Sequence, residues 1–594
     1  MTSTRLLHAT AIALAIAGVG CSSDSTGNKV TGGQTGTGGT SPEAGTTATG
    51  GTATSGGATS SSSQATGGSA SGSGGTSASS SATGTGGVSG TGGRIGTGGS
   101  TSATTGTGGQ VGTGGASGTG GRVGTGGSTV AGGTTGTGGR VGTGGAVGTG
   151  GRVGTGGSIG AGGGIATGGA VGSCTAAAGS TATYVGTKTP GTAQSGDITV
   201  DPSKTYQVVD GFGEADVWQG SSSTAMQTAL WDPVNGIGLT LLRIGIESVS
   251  GKSVLMGNAG IADGQACVKF NGCDCKVWAA PWSPPASMKN NGNVNGGASN
   301  NTLKTDSYDA WATLLAAFPA YYKGQGGPDL FAISAQNEPD WNATYEACLY
   351  DKNTMVTFIN TLGPKLAALN PPVKVLAAEP DNWGNCWGGD NYGGAILADA
   401  TASSYVAVIA THDYGSTSAG TYARPAPPAN NTKHVWETEC TPSGTGAINI
   451  ATMIYAAFST GGVNGWHYWW TQAFVPNASS PPPQYYALGN FSKFVRPGFY
   501  RMDVSGAAKA SGTVPLVVAF TNKADGTVAI VVVNGGSAQT INFFVAGAGW
   551  PATVTPYVTT ASSKLAAGTA ISVTAGRFSG SLEAQSVTTF VGKP

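Results

Sequence analysis

The chain has 594 residues, of which 107 are glycine, and the glycines concentrate in the first third. Lys plus Arg and Asp plus Glu each total 28, so no overall charge draws the protein to nucleic acid, and we expect no nucleic-acid partner. A chain this long exceeds one ordinary domain, yet its composition indicates that much of it contributes no hydrophobic core.

The first 21 residues predict an export signal. An apolar run at Ala9–Ala17 follows Arg5 and is too short to remain as a membrane-spanning helix. Small residues then lead to Cys21, which resembles a bacterial lipobox, although Gly18 stands where that pattern prefers Leu. The resemblance implies lipidation of Cys21 and an anchor at the outer membrane or cell surface. The alternative is an ordinary cleaved signal that leaves the protein secreted.

Residues 22–172 are almost entirely Gly, Thr, Ser and Ala, with repeated units such as GGRVGTGG. Such a stretch has too little apolar surface to offset the entropy of ordering its backbone, so it predicts a disordered linker that acts as a flexible tether. Collagen is excluded because glycine does not occupy every third position and proline is nearly absent. A glycine-rich structural or adhesive role is the alternative.

Residues 173–497 predict an α/β catalytic domain. Eight short apolar runs alternate with helical patterns, two of which begin at Asp309 and Asn353, and this alternation is typical of a (β/α)8 TIM barrel. Polar or aromatic residues come last in each run, at the end where such barrels have their active sites. The runs begin at Val208, Leu239, Lys276, Leu330, Lys374, Tyr405, His434 and Val463.

Short alternating strands without helices follow Pro497 and predict an attached β-sandwich side domain over residues 498–594. A strand-like segment before the barrel, ITVDPSKTYQVV at 198–209, is expected to join that sandwich. We expect the whole protein to be a monomer.

Two carboxylates stand at the ends of predicted strands. Glu338 follows the fourth run in SAQNEPD, and Glu439 closes the seventh in WETEC. Strands four and seven face each other across a barrel, so these groups can flank one glycosidic bond, as in a retaining glycosidase. Glu437 competes for the second position: alternation turns Glu437 and Glu439 the same way, and Glu439 is preferred because it lies nearer the mouth. A strand-end turn with a surface carboxylate is the alternative for either motif alone.

Further residues near the mouth are candidates for substrate binding. Asn337 can hydrogen-bond a sugar hydroxyl, Tyr414 can donate its hydroxyl to the nucleophile, and Arg243 can balance the two carboxylates. A surface tyrosine and a barrel ion pair are the alternatives for the last two. Flat apolar faces for sugar rings are expected from Trp282, Trp469 and Trp470, although aromatic residues near strand ends also pack as core.

The histidines and cysteines favour structural roles. His412 and His467 are expected to be hydrogen-bonded structural residues rather than ligands. The segment CVKFNGCDC has no paired C-x-x-C motif and the chain has only four histidines, so we expect short disulfide loops and no metal site. Seven cysteines remain beside Cys21, so at least one thiol is free.

The stretch from about Gln207 to the C-terminus resembles glycoside hydrolase family 30. The resemblance rests on GFG, PWSPPASMK, ISAQNEPD and WETE, which occur in that order. FSKFVRPGF and the final AQSVTTFV are similar to the bacterial glucuronoxylan-cleaving xylanases of subfamily 8. The resemblance implies that Glu338 is the acid/base and Glu439 the nucleophile. It implies no metal or organic cofactor.

We therefore predict an endo-acting β-1,4-xylanase that works by double displacement on a polysaccharide. Typical members of the subfamily hold glucuronate branches with an Arg just after the eighth strand. This chain has no Arg or Lys between Trp470 and Phe491, and Thr471 and Gln472 occupy the expected place. Cleavage should then not depend strictly on glucuronate, unless a substitute cation comes from a distant loop. The candidates for that substitute are Arg424 and Lys433.

Two other functions are compatible with these motifs. The same fold and mechanism can act on β-1,6-glucan or β-1,6-galactan, as in other members of the resembled family. A non-catalytic surface protein that binds polysaccharide is the second alternative, and the presence of both Glu338 and Glu439 argues against it.

Overall fold

The computed structural model describes residues 183–220, 222–414, 424–441, 446–507 and 515–594, which belong to one compact unit. The predicted export signal, the lipidation site Cys21 and the linker through residue 172 lie outside these ranges. None of the helices within them combines the length and the apolar character that a bilayer crossing needs.

Eight parallel strands close into a barrel, and each of the eight predicted runs overlaps one of them. These strands are mostly apolar on both faces because side chains fill the barrel interior and helices cover its outside. In chain order, the strands up to the end of the barrel are β1 (Asp197–Val208), β2 (Gly211–Asp216), β3 (Leu241–Val249), β4 (Lys252–Met256), β5 (Lys276–Pro281), β6 (Ala332–Ser334), β7 (Lys374–Ala378), β8 (Val406–His412), β9 (His434–Glu439) and β10 (Gly465–Tyr468). The ring closes where β2 pairs with both β3 and β10, while β4 forms a hairpin on β3 outside the ring.

The helices follow the expected alternation, and the two predicted from Asp309 and Asn353 are present. The second of these begins at a cap in which the Asp351 side chain accepts hydrogen bonds from two backbone N–H groups. The helices are α1 (Thr224–Trp231), α2 (Ala259–Asn271), α3 (Tyr308–Gly324), α4 (Lys352–Ala367), α5 (Trp383–Trp387), α6 (Tyr392–Ala398), α7 (Ala400–Tyr405), α8 (Ala447–Ser459), α9 (Thr471–Phe474) and α10 (Pro483–Ser492).

One of the expected short disulfides links Cys267 in α2 to Cys275, just before β5. It closes the connection at the barrel end opposite the mouth. Cys348 and Cys386 are buried free thiols.

A second sheet forms the β-sandwich side domain. Its strands are β11 (Tyr500–Ser505), β12 (Leu516–Thr521), β13 (Val528–Asn534), β14 (Gln539–Val545), β15 (Thr553–Thr559), β16 (Ala566–Ala567), β17 (Ile571–Ser572), β18 (Arg577–Leu582) and β19 (Ser586–Gly592), together with β1. Strand β1 lies antiparallel to β11 and parallel to β14. Phe543 and Phe578 lie on the neighbouring strands β14 and β18, and both rings meet Phe590 on β19 at 5.4–5.5 Å although β19 is distant from these strands in the sheet order. The sheet therefore folds over into two layers.

The side domain is fixed to the barrel through buried contacts. The ring of Phe520 on β12 packs 5.5 Å from Phe458 on α8, and Asn490 on α10 donates to the carbonyl of Tyr557 at 2.9 Å. Val517 and Ala519 on β12 face the sandwich interior, whereas Phe520 faces the barrel. Both faces of this strand are therefore buried, which explains its continuous apolar sequence.

Candidate active site

The floor of the candidate site is a layer of buried rings inside the barrel. Trp278 donates its indole N–H to Nε2 of His467 at 3.1 Å, and Nδ1 of His467 lies 3.2 Å from the carbonyl of Glu437. Burial lowers the pKa of His467 to about 3, so this imidazole is neutral. His467 is thus a hydrogen-bonded structural residue, as expected.

Glu338 and Glu439 lie side by side at the mouth. They are only 7% and 4% exposed, and one oxygen of each carboxyl group lies within 4.8 Å of the other and of His412. Retaining glycosidases hold their two carboxyl groups about 5–5.5 Å apart, whereas inverting enzymes need roughly 6.5–9.5 Å to admit a water. The spacing fits the retaining arrangement.

The Glu439 carboxylate has two strong partners. Tyr414 donates its hydroxyl to Oε1 at 2.8 Å, and the Arg243 guanidinium contacts Oε2. Burial raises the pKa of Glu439, and the neighbouring cations His412 and Arg243 oppose that rise. Both partners fix the direction of the carboxylate, which a nucleophile requires.

Arg243 is fully buried and joins the acidic groups of the mouth. Its guanidinium contacts Glu439 and the side-chain oxygen of Asn337, and it lies 3.1 Å from Glu379. Burial alone would favour its neutral form, but the carboxylates of Glu379 and Glu439 raise its pKa. The expected charge-balancing role therefore extends to a third carboxylate.

Glu338 has a different environment. The Asn337 side chain donates to its Oε2 at 3.4 Å, and Nδ1 of His412 lies 3.2 Å from its Oε1. The half-buried Tyr345 also hydrogen-bonds Glu338, and burial, followed by the charges of Glu338 and Glu439, raises the pKa of Tyr345. The backbone of Glu338 has a φ of 43°, a left-handed conformation uncommon outside glycine, and its N–H donates to the carbonyl of Glu379 at 3.0 Å.

Glu379 and His412 were missed as functional residues. Both are fully buried at the mouth, and Nε2 of His412 lies 3.5 Å from Oε1 of Glu379. The carboxylates of Glu439, Glu338 and Glu379 outweigh burial and raise the pKa of His412 to about 10, so the imidazole is a cation. Arg243, assisted by His412, lowers the pKa of Glu379 despite its burial.

The charges of this cluster balance when one carboxyl group keeps a proton. Arg243 and His412 contribute two positive charges, and the three carboxyl groups contribute three negative charges when ionised. An uncompensated buried charge is costly, so the cluster favours retention of one proton. A retaining glycosidase needs one protonated and one ionised carboxyl group.

A repeated tripeptide in the sequence could have indicated that Glu379 lies at the mouth. The fourth and fifth barrel strands are followed by the same tripeptide, Glu-Pro-Asp, at 338–340 and 379–381. Both glutamates have positive φ, 43° and 59°. Two identical turns at neighbouring strand ends indicate two carboxylates at one mouth.

The expectation that Glu437 and Glu439 share a face is wrong. Strand β9 has a register shift against β8: Thr411 pairs with Glu437, and the next residue, His412, pairs with Glu439. Thr438 is thus an extra residue that resets the alternation. Glu437 turns outward and accepts hydrogen bonds from two indole N–H groups, those of Trp383 at 3.0 Å and Trp466 at 2.5 Å.

Two of the three predicted tryptophans surround Arg243. Its guanidinium lies 4.7 Å from the ring of Trp282 and 5.6 Å from that of Trp469, and Trp218 packs against both rings. These rings line the mouth and stabilise the Arg243 cation. Trp470 is half-buried and donates its indole N–H to the carbonyl of Val217 at 2.8 Å.

The residues after the eighth strand are neutral, and the candidate substitute cations are already engaged or distant. The Thr471 hydroxyl points inward, 3.2 Å from Asp216, whereas Gln472 is exposed. Arg424 is buried and paired with Asp413. Lys433 precedes β9, at the barrel end opposite the mouth.

Two groups of three side chains have metal-ligand atoms within 4.8 Å of one another in the described residues. They are Glu338 with His412 and Glu439, and Asp413 with Glu437 and Cys440. An arginine enters each group: Arg243 contacts Glu439, and Arg424 contacts Asp413. Each group of side chains therefore already has a positively charged neighbour.

Residues 261–429 match the glycosyl hydrolase family 30 TIM-barrel domain. The chain is 29% identical over 414 residues to glucuronoxylanase XynC of Bacillus subtilis. The aligned region covers 66% of this chain and 91% of that protein. The crystal structure of the family 30 subfamily 8 xylanase Xyn30A from Clostridium acetobutylicum is 30% identical, with a TM-score of 0.57, and covers 67% of this chain and 100% of that one. Endo-1,6-β-D-glucanase neg1 of Aspergillus fumigatus is 26% identical and covers 55% of this chain and 79% of that protein.

Proposed function

Because the chain belongs to glycoside hydrolase family 30 and is a glycosidase, we propose that it cleaves β-1,4-xylan internally with retention of anomeric configuration. The observation that carries the proposal is the pair of buried carboxyl groups, Glu338 and Glu439, within 4.8 Å at facing strand ends. Their different surroundings assign different roles to them.

In the first step, Glu439 attacks the anomeric carbon while Glu338 gives its proton to the departing glycosidic oxygen. The bond to the leaving sugar breaks, and a covalent glycosyl ester forms on Glu439. Tyr414 and Arg243 orient the nucleophile through the contacts described above. Glu338 is the carboxylate beside Asn337 and Tyr345, and it serves as the acid.

In the second step, water enters where the leaving sugar stood. Glu338, now ionised, takes a proton from this water, whose oxygen attacks the anomeric carbon and releases Glu439. His412 stabilises Glu338 while that carboxylate is charged, because its imidazolium lies 3.2 Å away. Trp282 and Trp469, which surround Arg243 beside Glu439, are assigned to the sugar on the nucleophile side.

Xylan is the proposed polymer because XynC and Xyn30A are both described as acting on it. Dependence on glucuronate branches is not expected. The position after the eighth strand offers Thr471 and Gln472, and neutral hydrogen bonds are about half as strong as a charge-assisted clamp. Arg424 pairs with Asp413, which leaves it engaged.

The second candidate polymer is β-1,6-glucan, favoured by the similarity to the Aspergillus fumigatus endo-1,6-glucanase. The same two carboxylates would act on either linkage, because the reaction at the anomeric carbon is the same.

The test measures initial release of reducing sugar from glucuronoxylan, arabinoxylan and β-1,6-glucan, with product lengths by mass spectrometry. We expect the two xylans to be cleaved at rates within about tenfold of each other, a barrier difference under about 1.4 kcal/mol. Cleavage at a fixed distance from each glucuronate would contradict the branch prediction. Cleavage of β-1,6-glucan alone would select the second candidate, and no release from any polymer would contradict the proposed activity.

We also propose that the enzyme acts outside the cell, held by lipid on Cys21 and a flexible tether over residues 22–172. The apolar run before Cys21 and the linker composition support this arrangement. Metabolic labelling with a fatty-acid analogue, compared between the full chain and Cys21→Ala, tests the anchor. Equal labelling of the two would contradict it.

A further inference from the structure

Three aromatic side chains among the described residues are exposed: Tyr184, Tyr206 and Trp341. Tyr206 has partners on both sides, because the Arg501 guanidinium lies 3.9 Å over its ring and its hydroxyl donates to Asp503 at 2.7 Å.

Tyr184 is also accounted for, since its ring lies so close to Gly526 that a side chain there would collide with it. Trp341 is 52% exposed, and within the part of the chain that the structure covers its indole has no stacking ring, cation or hydrogen-bond acceptor. An exposed indole offers a flat apolar face on which the C–H face of a sugar ring can stack.

Trp341 is tied directly to the acid. Its backbone N–H donates to the carbonyl of Glu338 at 3.1 Å, which closes a four-residue turn and keeps the two Cα atoms within about 7 Å of each other. Trp341 therefore lies at the rim of the mouth, on the loop that carries the proton donor.

Both neighbours of Trp341 are fixed. The Asp340 carboxylate accepts from the backbone N–H of Asp381 at 3.0 Å and from the Asn385 side chain at 2.8 Å. The Asn342 side chain accepts from Asn301 at 2.9 Å on the opposite side. The exposed ring thus sits on a rigid support, and binding a ligand requires little further ordering of the backbone.

We propose that Trp341 is the stacking surface for a sugar on the leaving-group side of the scissile bond. The proton must pass from Glu338 to the oxygen of the leaving sugar, so that sugar lies against the Glu338 loop. The tryptophans Trp282 and Trp469 surround Arg243 beside Glu439 instead, and the hydroxyl of Tyr345 is engaged with Glu338 itself. The inference rests on the proposed function and adds to it a subsite for β-linked neutral sugar.

The test uses β-1,4-xylohexaose labelled with ¹⁸O at the reducing end, so that mass spectrometry locates each cut. Trp341→Ala should raise KM about five- to tenfold and move the cuts toward the reducing end, because fewer sugars are then held on the leaving side. Trp341→Phe keeps an aromatic face and should retain most of the wild-type pattern. Val234→Ala, which removes an exposed apolar side chain at the far end of the barrel, should change neither quantity.

A shift of the cuts toward the non-reducing end in Trp341→Ala would place the ring on the wrong side and overturn the inference, as would an unchanged pattern and KM. If the wild type cleaves only β-1,6-glucan, labelled β-1,6-glucohexaose replaces the xylohexaose. Electrophoresis in gels containing xylan or β-1,6-glucan separates the two failures. No cleavage by the wild type contradicts the proposed function, whereas equal retardation of wild type and Trp341→Ala contradicts the subsite.

Discussion

At the scale of single residues, the two glutamates of β9 have opposite surroundings. Glu439 meets Arg243 and Tyr414 at the mouth, whereas Glu437 is enclosed by Trp383 and Trp466 outside the barrel. Burial raises the pKa of Glu437 to about 8, so it keeps its proton near neutral pH.

Substitution of the two positions should therefore give different results. Glu439→Gln and Glu338→Gln should each lower turnover at least about 100-fold with the fold retained, because a reacting group is lost. Glu437→Gln should stay within about tenfold of wild type. Initial rates and circular dichroism of the three variants provide the check. Wild-type turnover in Glu439→Gln would move the nucleophile to another residue.

Azide can identify the nucleophile chemically. In Glu439→Gly the small anion fits the vacated space and attacks the anomeric carbon directly, so partial rescue with an inverted glycosyl azide is expected. Glu338→Gly is the matched control, in which the nucleophile remains and no inverted azide should form. Product configuration is read by NMR. Inverted azide from the Glu338 variant alone would exchange the two roles.

The cation at His412 predicts a dependence of stability on pH. Its folded pKa of about 10 exceeds the ordinary value near 6.5. The protonated His412 therefore stabilises the folded state fully below pH 6.5, and this stabilisation is lost as pH rises through about 10. The free energy of unfolding should change by an amount on the order of a few kcal/mol. Urea unfolding of wild type and His412→Gln at pH 6, 8 and 10 should show the difference between them shrinking with pH. A constant difference would mean that the imidazole is neutral.

The positions of single residues could be predicted only in part. The placement of Glu338 and Glu439 at the mouth was predictable because the ends of parallel strands meet there. His412 gains its charge from three carboxylates on three other strands, which no local pattern reveals. The outward turn of Glu437 depends on one extra residue, Thr438, and an inserted residue has no signature in composition.

At the scale of elements, all eight barrel strands were predictable because burial on both faces requires apolar runs. Strand lengths were not: β6 has only three residues, and its predicted run continues into the turn at Glu338. That turn is set by backbone bonding to the neighbouring strand end at Glu379, which is a tertiary contact.

The short helix α9 offers a test of branch preference. Gln472 is exposed there, so Gln472→Arg places a guanidinium where a glucuronate clamp is expected. A charged hydrogen bond contributes about 1.5–3 kcal/mol, so the rate ratio of glucuronoxylan to arabinoxylan should rise at least about tenfold. Gln472→Met is the neutral control and should leave the ratio unchanged. An unaltered ratio in both variants would place branch recognition elsewhere.

At the scale of the whole molecule, the barrel and the side domain should not need the N-terminal third of the chain. A protein starting near Ala176 retains every strand of the barrel and the sandwich. Because the composition of residues 22–172 predicts a linker without a hydrophobic core, this shorter protein should fold and keep full turnover on soluble substrate. Rates and thermal unfolding compared with the full chain give the measurement. An insoluble or inactive product would show that the linker supports the fold.

The position of β1 has a consequence for synthesis. It is among the first folded segments to leave the ribosome, yet its partner β14 ends at Val545, more than 300 residues later. At a translation rate of about 5–20 residues per second, roughly 20–70 s pass between the synthesis of β1 and that of β14. The side-domain sheet therefore lacks the pairing of β1 with β14 until translation is nearly complete. The last strands to be synthesised complete the sheet that the first strand began.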